Sequence, residues 1–485
     1  MDWQRSCAAT IHPAIAVSWP SVDDIDRTAK ILIDLGLAFD PEGARDYLNR
    51  LVLQVAVGPE LDADPAIQAA LMTVVNVGRR AFKGGIDVHP SHDPVQVVGW
   101  GAGSHVSEVV TRFGGKVVAG LRHDRPTLVL GSPTQAAGDP VLYMTWAGWS
   151  AGVVQHSGVR QNADGTVLAA ILASGLGISE MFQRSLGNVM AGRRDVGLSL
   201  WRPDLDWRLP DAIGPKLTCL PSELWLLGLG HLGQAYAWIL GMLPYANTSD
   251  CSIGLLDFDV VVPGNTATQL LTGPADVGNK KARVVAAALE ELGMRTRISE
   301  RAFDEHFRTA SHADQRRQEP LVALTGFDDV VPRRHLESAN FKRTVDGGLG
   351  AGPVEYLDML VHTFPSAISP AEAFREVAPR TPGLRQAYQN EIDRRVSGGI
   401  DRSVAQCGLL DIAGTTVGAA FVGTVTGTFV VADILRVLHG GQNYSIVALD
   451  LREPGGIRAV ANLVRDPYLP KATRTRESRA QSPGP

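Results

Sequence analysis

Three glycines, Gly228, Gly230 and Gly233, follow the apolar run Leu224 to Leu227 and lead into a second apolar run of helical character. The order is strand, tight turn, helix. In such a turn the absent side chains let the backbone approach a phosphate, and the N–H groups of the helix start point at the anion. A second strand, Ile253 to Leu256, delivers Asp257 and Asp259 at its carboxyl end, where a doubly wound sheet places ligand contacts and an acid accepts ribose hydroxyls. Asn265, Gln269, Gly278 and Lys281 come next. Lys281 falls in the first turn of a helix, where the dipole disfavours a cation unless a bound anion offsets it; Lys280 and Arg283 are alternatives for that role. Further on, EPLVALTGFDDVVPRRHL supplies a short apolar strand with Asp328 at its carboxyl end. The competing reading is that Asp328 and Asp329 cap the following helix. A glycine triplet alone is weak evidence, because many such turns need it only for packing. The whole set reads as a nucleotide site.

The four cysteines, Cys7, Cys219, Cys251 and Cys407, contain no CxxC pair, which indicates neither a disulfide framework nor a zinc site. Cys407 lies in a polar insertion, residues 365–410, and is the one cysteine in a glycine-rich polar setting. A reactive thiolate needs exposure and positive surroundings, which Arg394, Arg395 and Arg402 could supply. The alternative is a buried, inert thiol beside GLLDIAG.

The set from Gly228 to Asp328 resembles the adenylate-forming superfamily of ThiF, MoeB and the E1 ubiquitin-activating enzymes. That pattern is a glycine turn, Asp-x-Asp at a strand end, Asn-x-x-Arg-Gln, and Gly-x-x-Lys at a helix start. From Asp257 to Lys281 the spacing matches without a gap, but the family's arginine position is Thr268. An ATP phosphate contact is therefore missing or supplied from elsewhere. The resemblance implies ATP-dependent adenylation of the C-terminus of a ubiquitin-like carrier protein, followed by transfer to Cys407 as a thioester and onward to an E2-like conjugating protein. It implies roles as well: backbone N–H groups of Gly228, Gly230 and Gly233 on phosphate, Asp257 and Asp259 at the nucleotide, and Asn265 and Gln269 orienting phosphate oxygens. Lys281 would offset charge, and Asp328, counted back from Arg333, would hold Mg²⁺. The zinc knot common in ThiF and MoeB relatives is not expected. A zinc-free, paired-half version looks most like the E1 proteins of bacterial ubiquitin-like conjugation operons of the Bil type.

The expected fold is α/β, with two Rossmann-like adenylation halves, one inactive and one active, and a helical N-terminal region. A length of 485 residues, 45% hydrophobic and 20% charged, suits several packed domains. Residues 1–90 read as helical, with Ser21 as a plausible N-cap and amphipathic runs through PEGARDYLNRLVLQV and DPAIQAALMTVVNVGRRAF. Residues 91–200 repeat the strand, glycine turn, helix grammar at Gly99, Gly101 and Gly103, without the acidic and lysine elements. TVLAAILASGLGISEMFQRSLG in this half resembles GTVTGTFVVADILRVLHGG in the other, which reads as a weak internal duplication. Such pairing within one chain implies a pseudo-dimer. Residues 201–221 read as a linker, 222–467 as the active half, and 468–485 as a disordered tail.

A net charge of −5 and a pI near 6.2 give no reason to expect nucleic acid. With no leader pattern and no run of about 18 purely apolar residues, no membrane association is expected and a cytoplasmic location follows. Two alternatives remain open. A nicotinamide-dependent oxidoreductase would use the same turn with Asp257 on the ribose, leaving Lys281 and Asp328 without a role. In a weakened E1-like scaffold, Thr268 would mark a lost activity.

Overall fold

The computed structural model describes residues 26–38, 40–157, 165–309, 319–350, 355–375, 417–464 and 468–476. Two helices come first, α1 (Arg27–Asp34) and α2 (Pro41–Arg50). Asp26 caps α1 by accepting the N–H groups of Thr28 and Ala29, and Asp40 caps α2 by accepting that of Gly43. The region opens helical, as expected, but the helical reading of residues 1–90 does not hold at two strands. VLQVAV forms strand β1 (Val52–Val57), followed by α3 (Pro65–Gly78) and β2 (Gly85–Pro90). Its β-branched and apolar residues are buried, which suits a central strand better than another helical turn.

The first body continues with α4 (Val106–Arg112), β3 (Lys116–Val117), β4 (Thr127–Leu130), β5 (Val141–Ala147), β6 (Ser150–Val154), α5 (Val167–Ser185) and β7 (Val196–Ser199). A second correction falls here. Residues 95–100 form no strand, and Val95 makes only an isolated bridge to His105, so Gly99, Gly101 and Gly103 belong to a loop. The strand, turn, helix unit of this body is instead β1 followed by α3.

The second body begins with β8 (Cys219–Pro221), β9 (Glu223–Leu227), α6 (His231–Met242), β10 (Ser252–Leu256), α7 (Lys281–Glu291), β11 (Arg295–Ser299) and β12 (Val322–Thr325). It continues with α8 (Val330–Arg334), β13 (Arg343–Leu349), β14 (Asp358–Phe364), α9 (Pro370–Ala373), α10 (Ala420–Leu438), β15 (Tyr444–Asp450), β16 (Arg458–Ala461) and β17 (Ala472–Arg474). Strand β17 pairs with β8, so the segment read as linker and the start of the tail read as disordered are joined in a small antiparallel sheet. Residues 477–485 lie outside the described residues.

The two large sheets share one plan. Their orders are β3-β2-β1-β4-β5-β6-β7 and β11-β10-β9-β12-β13-β14-β15-β16, parallel through the fifth strand of each sheet and antiparallel beyond. Helices α5 and α10, the two segments whose sequences are alike, occupy equivalent places and pack on each other. Gly175 permits this approach, since a Cβ there would lie 2.7 Å from Val425. Helix α10 is long and apolar enough to cross a membrane, yet 89% of its apolar window is buried between the sheets as core.

Polar contacts fix the two bodies together. Arg343 donates through Nε to buried Asp433 at 2.9 Å, Arg436 donates to the same carboxylate at 3.1 Å, and Arg436 also donates to the carbonyl of Leu200 at 2.7 Å. Removing one member of such a buried set costs roughly 3–5 kcal/mol, because a charge is left uncompensated.

Candidate functional site

The site lies at the carboxyl end of the second sheet, where β9 gives way to α6. Gly228 has a φ of +78°, which suits glycine, and its N–H donates to the carbonyl of Leu256 at 2.9 Å. Gly233 is needed for a close approach, because a Cβ there would lie 2.0 Å from the carbonyl oxygen of Gly228. A Cβ on Gly230 would meet nothing within 4 Å, so the space in front of the turn is open. Helix α6 starts with no side-chain cap, leaving its first N–H groups available to an anion.

Asp257 is buried behind the turn. It accepts the Leu229 N–H at 2.6 Å through Oδ2 and the Asp259 N–H at 2.8 Å through Oδ1, and so braces the turn against the end of β10. Burial pushes its carboxyl above the usual range, and the charge of Lys281 works against that rise. Each oxygen keeps a second lone pair. The Lys281 ammonium sits 2.7 Å from Oδ2 of half-exposed Asp259, so Asp259 offsets the conflict of a lysine at a helix start. The alternative cations are engaged elsewhere: Lys280 donates to the carbonyl of Phe258, and Arg283 pairs with Glu300.

Asn265 and Gln269 are buried and bonded inward. Asn265 accepts the Val262 N–H at 3.1 Å, closing its own turn. Gln269 accepts from Gln234 at 2.9 Å and from Thr272 at 3.1 Å. Both hold the loop, whereas phosphate contact was expected of them. Thr268, between them, is fully buried, and its hydroxyl has no hydrogen-bond partner among the described residues. Arg80, just past the end of α3, reaches across from the first body and donates to the carbonyls of Thr266 and Leu270.

Asp328 is exposed just past β12. Asp329 accepts the Val331 N–H at 3.0 Å and caps α8, which leaves the Asp328 carboxylate unused by the cap. Among the described residues no cluster of three or more metal-ligating side chains exists. A lone carboxylate still suits Mg²⁺, which takes one or two protein oxygens and fills its shell with phosphate and water. Cys407 lies outside the described residues. Cys219 is half-buried against the carboxyl end of α10, with its thiol pushed up by burial, and Cys251 is buried with its thiol at about 11. Helix α10 has 19 residues, so Cys219 lies about 28 Å along it from the end facing the glycine turn.

Two residues passed over in the sequence belong to this site. Arg27, the first residue of α1, lies within electrostatic reach of Asp328 and of His231; burial lowers its guanidinium pKa and the Asp328 charge opposes that shift. A cation directly after a capping aspartate, like Lys281 at its own helix start, was the available signal. His231, the first residue of α6, is held neutral, its pKa lowered to about 3 by burial and then by Arg27. Its ring fits against Gly423 of α10, where a Cβ would lie 2.3 Å from Nε2.

Two doubly wound bodies in one chain, with one glycine turn backed by an aspartate and faced by a lysine, define an E1-like adenylating architecture. Residues 52–200 match the BilD N-terminal domain and residues 220–441 the BilD C-terminal domain. The chain is 38% identical over 431 residues to the bacterial E1-like protein BilD of Collimonas sp. (strain OK412), covering 87% of this chain and 90% of that protein. It belongs to the BilD family of bacterial E1-like proteins. Among solved structures it is similar to E. coli MccB with ATP, at 13% identity and a TM-score of 0.30 over 68% of this chain and 96% of that one. It is also similar to the E. coli tRNA N6-threonylcarbamoyladenosine dehydratase TcdA with AMP, at 16% identity and a TM-score of 0.27 over 44% of this chain and 85% of that one.

Proposed function

We propose that this protein uses ATP to adenylate the C-terminal carboxylate of a ubiquitin-like carrier protein. The observation that carries the reading is the junction behind the glycine turn, where Asp257 holds Leu229 and Lys281 stands 2.7 Å from Asp259 at the mouth. A carboxylate oxygen of the carrier attacks the α-phosphorus of ATP. The new O–P bond replaces the bond to the β-phosphate, and pyrophosphate leaves. Attacking and leaving groups are both anionic, so catalysis consists of positioning and charge neutralisation. The N–H groups from Gly228 to the start of α6 hold phosphate, Lys281 turns from Asp259 to the triphosphate, and Asp257 fixes the ribose. Arg27, supplied by the first body, makes up for the threonine at 268. Asp328 would hold Mg²⁺, which supplies further charge neutralisation on the phosphates when bound. The Cys407 thiolate then attacks the acyl carbon, the bond to the phosphate oxygen breaks and AMP leaves, and a thiol of an E2-like protein takes the acyl group by thioester exchange that frees Cys407.

The test is ATP–pyrophosphate exchange with a small carrier encoded beside this gene. Carrier-dependent exchange, with a thiol-sensitive adduct on a non-reducing gel, is the expected outcome. ATP binding without exchange, or tight NAD(H) binding, would refute the reading.

A further inference from the structure

The first body reaches toward the glycine turn through Arg80 as well as through Arg27. Arg80 stands just past the carboxyl end of α3, where the helix dipole favours a cation, and it is buried with no carboxylate bonded to it among the described residues. Its guanidinium spans the loop of residues 263–272 instead: Nη1 donates to the carbonyl of Thr266 and Nη2 to that of Leu270 at 3.0 Å. Asn76, one turn back on α3, donates to the same Leu270 carbonyl at 3.0 Å and accepts from Arg80 Nη2 at 3.3 Å, which fixes the plane of the fork. A planar fork of donors serves two carbonyls at once, whereas an ammonium is a point charge.

The other side of this loop is held by the helix that carries the glycine turn. Gln234 of α6 is fully buried. Its Oε1 accepts the Leu271 N–H at 2.8 Å, and its Nε2 donates to Gln269 Oε1 and to the Thr272 hydroxyl, each at 2.9 Å. The same Nε2 lies 3.3 Å from the carbonyl of Leu229, inside the turn, and the Leu229 N–H is the one given to Asp257. Polar contacts therefore connect Arg80, the loop, Gln234 and Leu229 in one buried chain. Such a chain has no water to fall back on, so loosening one end loosens the other.

We propose that Arg80 is a positioning residue of the nucleotide site, through which the first body shapes the glycine turn of the second. It touches the loop and leaves the phosphates to the turn itself. The inference rests on the adenylation reading for its ligand, but the chain from Arg80 to Leu229 is measurable without nucleotide.

Variants of the full-length protein test it. Arg80→Lys keeps the charge and loses the span; Asn76→Ala, which only frees the fork, stands in with a smaller effect if that variant does not fold. Thr73→Val is the control, since it removes the hydroxyl that accepts from Trp238 Nε1 at 3.1 Å, a bond between α3 and α6 that bypasses the loop. Without nucleotide, amide hydrogen exchange at Leu271 and Leu229 should quicken in Arg80→Lys and stay as in the wild type in Thr73→Val. In carrier-dependent exchange, Arg80→Lys should raise KM for ATP by roughly tenfold, the scale of one lost buried hydrogen bond, with kcat nearly unchanged. Adding Gln234→Met to Arg80→Lys should cost less than the two losses summed, because both break one chain. Unchanged exchange at Leu229, equal effects from Thr73→Val, or additive losses would each overturn the proposal. A wild-type protein that binds no ATP would overturn the adenylation reading and this role with it, whereas ATP binding indifferent to Arg80→Lys would overturn this inference alone.

Discussion

The two bodies differ most where they should be most alike. Both place a glycine directly after the first strand of the large sheet in chain order, Gly58 and Gly228, and another after the fourth, Gly131 and Gly326. Two positions further along the first turn, the second body has Gly230, open to solvent, and the first has Glu60. Glu60 folds into its own turn and accepts the Ser132 N–H at 3.0 Å, and a Cβ on Gly58 or Gly131 would lie within 2.4 Å of its carboxylate. The space that a phosphate would need holds a negative charge. Pro59 also stands where Leu229 gives its N–H to Asp257, so the first turn lacks that donor. Topology makes both bodies candidates, and two side chains, Pro59 and Glu60, set the first turn apart from the second.

Copying the difference should have the largest effect. A Cβ at Gly230 meets nothing within 4 Å, so Gly230→Glu should fold, yet it places a carboxylate at the phosphate and should abolish ATP binding; an undiminished affinity would refute the assigned turn. Next comes Lys281→Ala, expected to cut pyrophosphate exchange by roughly 10²–10³-fold, the scale for losing a preorganised charge partner. A smaller loss, about tenfold, is expected for Arg27→Ala, with partial recovery in Arg27→Lys, because a half-buried guanidinium is worth less than a buried one. If exchange is indifferent to Arg27, the first body contributes structure alone.

The smallest effect is on stability against pH. Unfolded His231 takes up its proton near its ordinary 6.5, but the folded ring does so only at about 3. Between those values the unfolded state binds more protons, so stability should fall as pH drops through the window. His231→Gln should flatten the decline in Tm from pH 6.5 to 4; an unchanged slope would mean that the ring is not buried as described.

Much of this was legible in the sequence where local chemistry decides. The strand ending at Leu227, the turn through Gly228 and Gly230, Asp257 after β10 and the helix opening at Lys281 all stand where spacing put them. The likeness of α5 and α10 also marked a real equivalence. What escaped depended on distant partners. The strand β1 was hidden because VLQVAV continues an amphipathic helical run, and only the neighbours β2 and β4 make it a strand. The glycines at 99 to 103 copy the phosphate-turn pattern without a preceding strand, so the pattern misled. Arg27 and Arg80 act on loops about 190 residues or more away in sequence, and Gln269 accepts a hydrogen bond from Gln234 of α6.

The central claim is that one body binds nucleotide and the other cannot. Counting ATP bound at saturation per polypeptide, by equilibrium dialysis on the full-length protein with Mg²⁺ present, tests it most directly. The account predicts one ATP per chain, falling to none in Gly230→Glu and staying at one in Glu60→Ala. Two per chain, or one that survives Gly230→Glu, would contradict it.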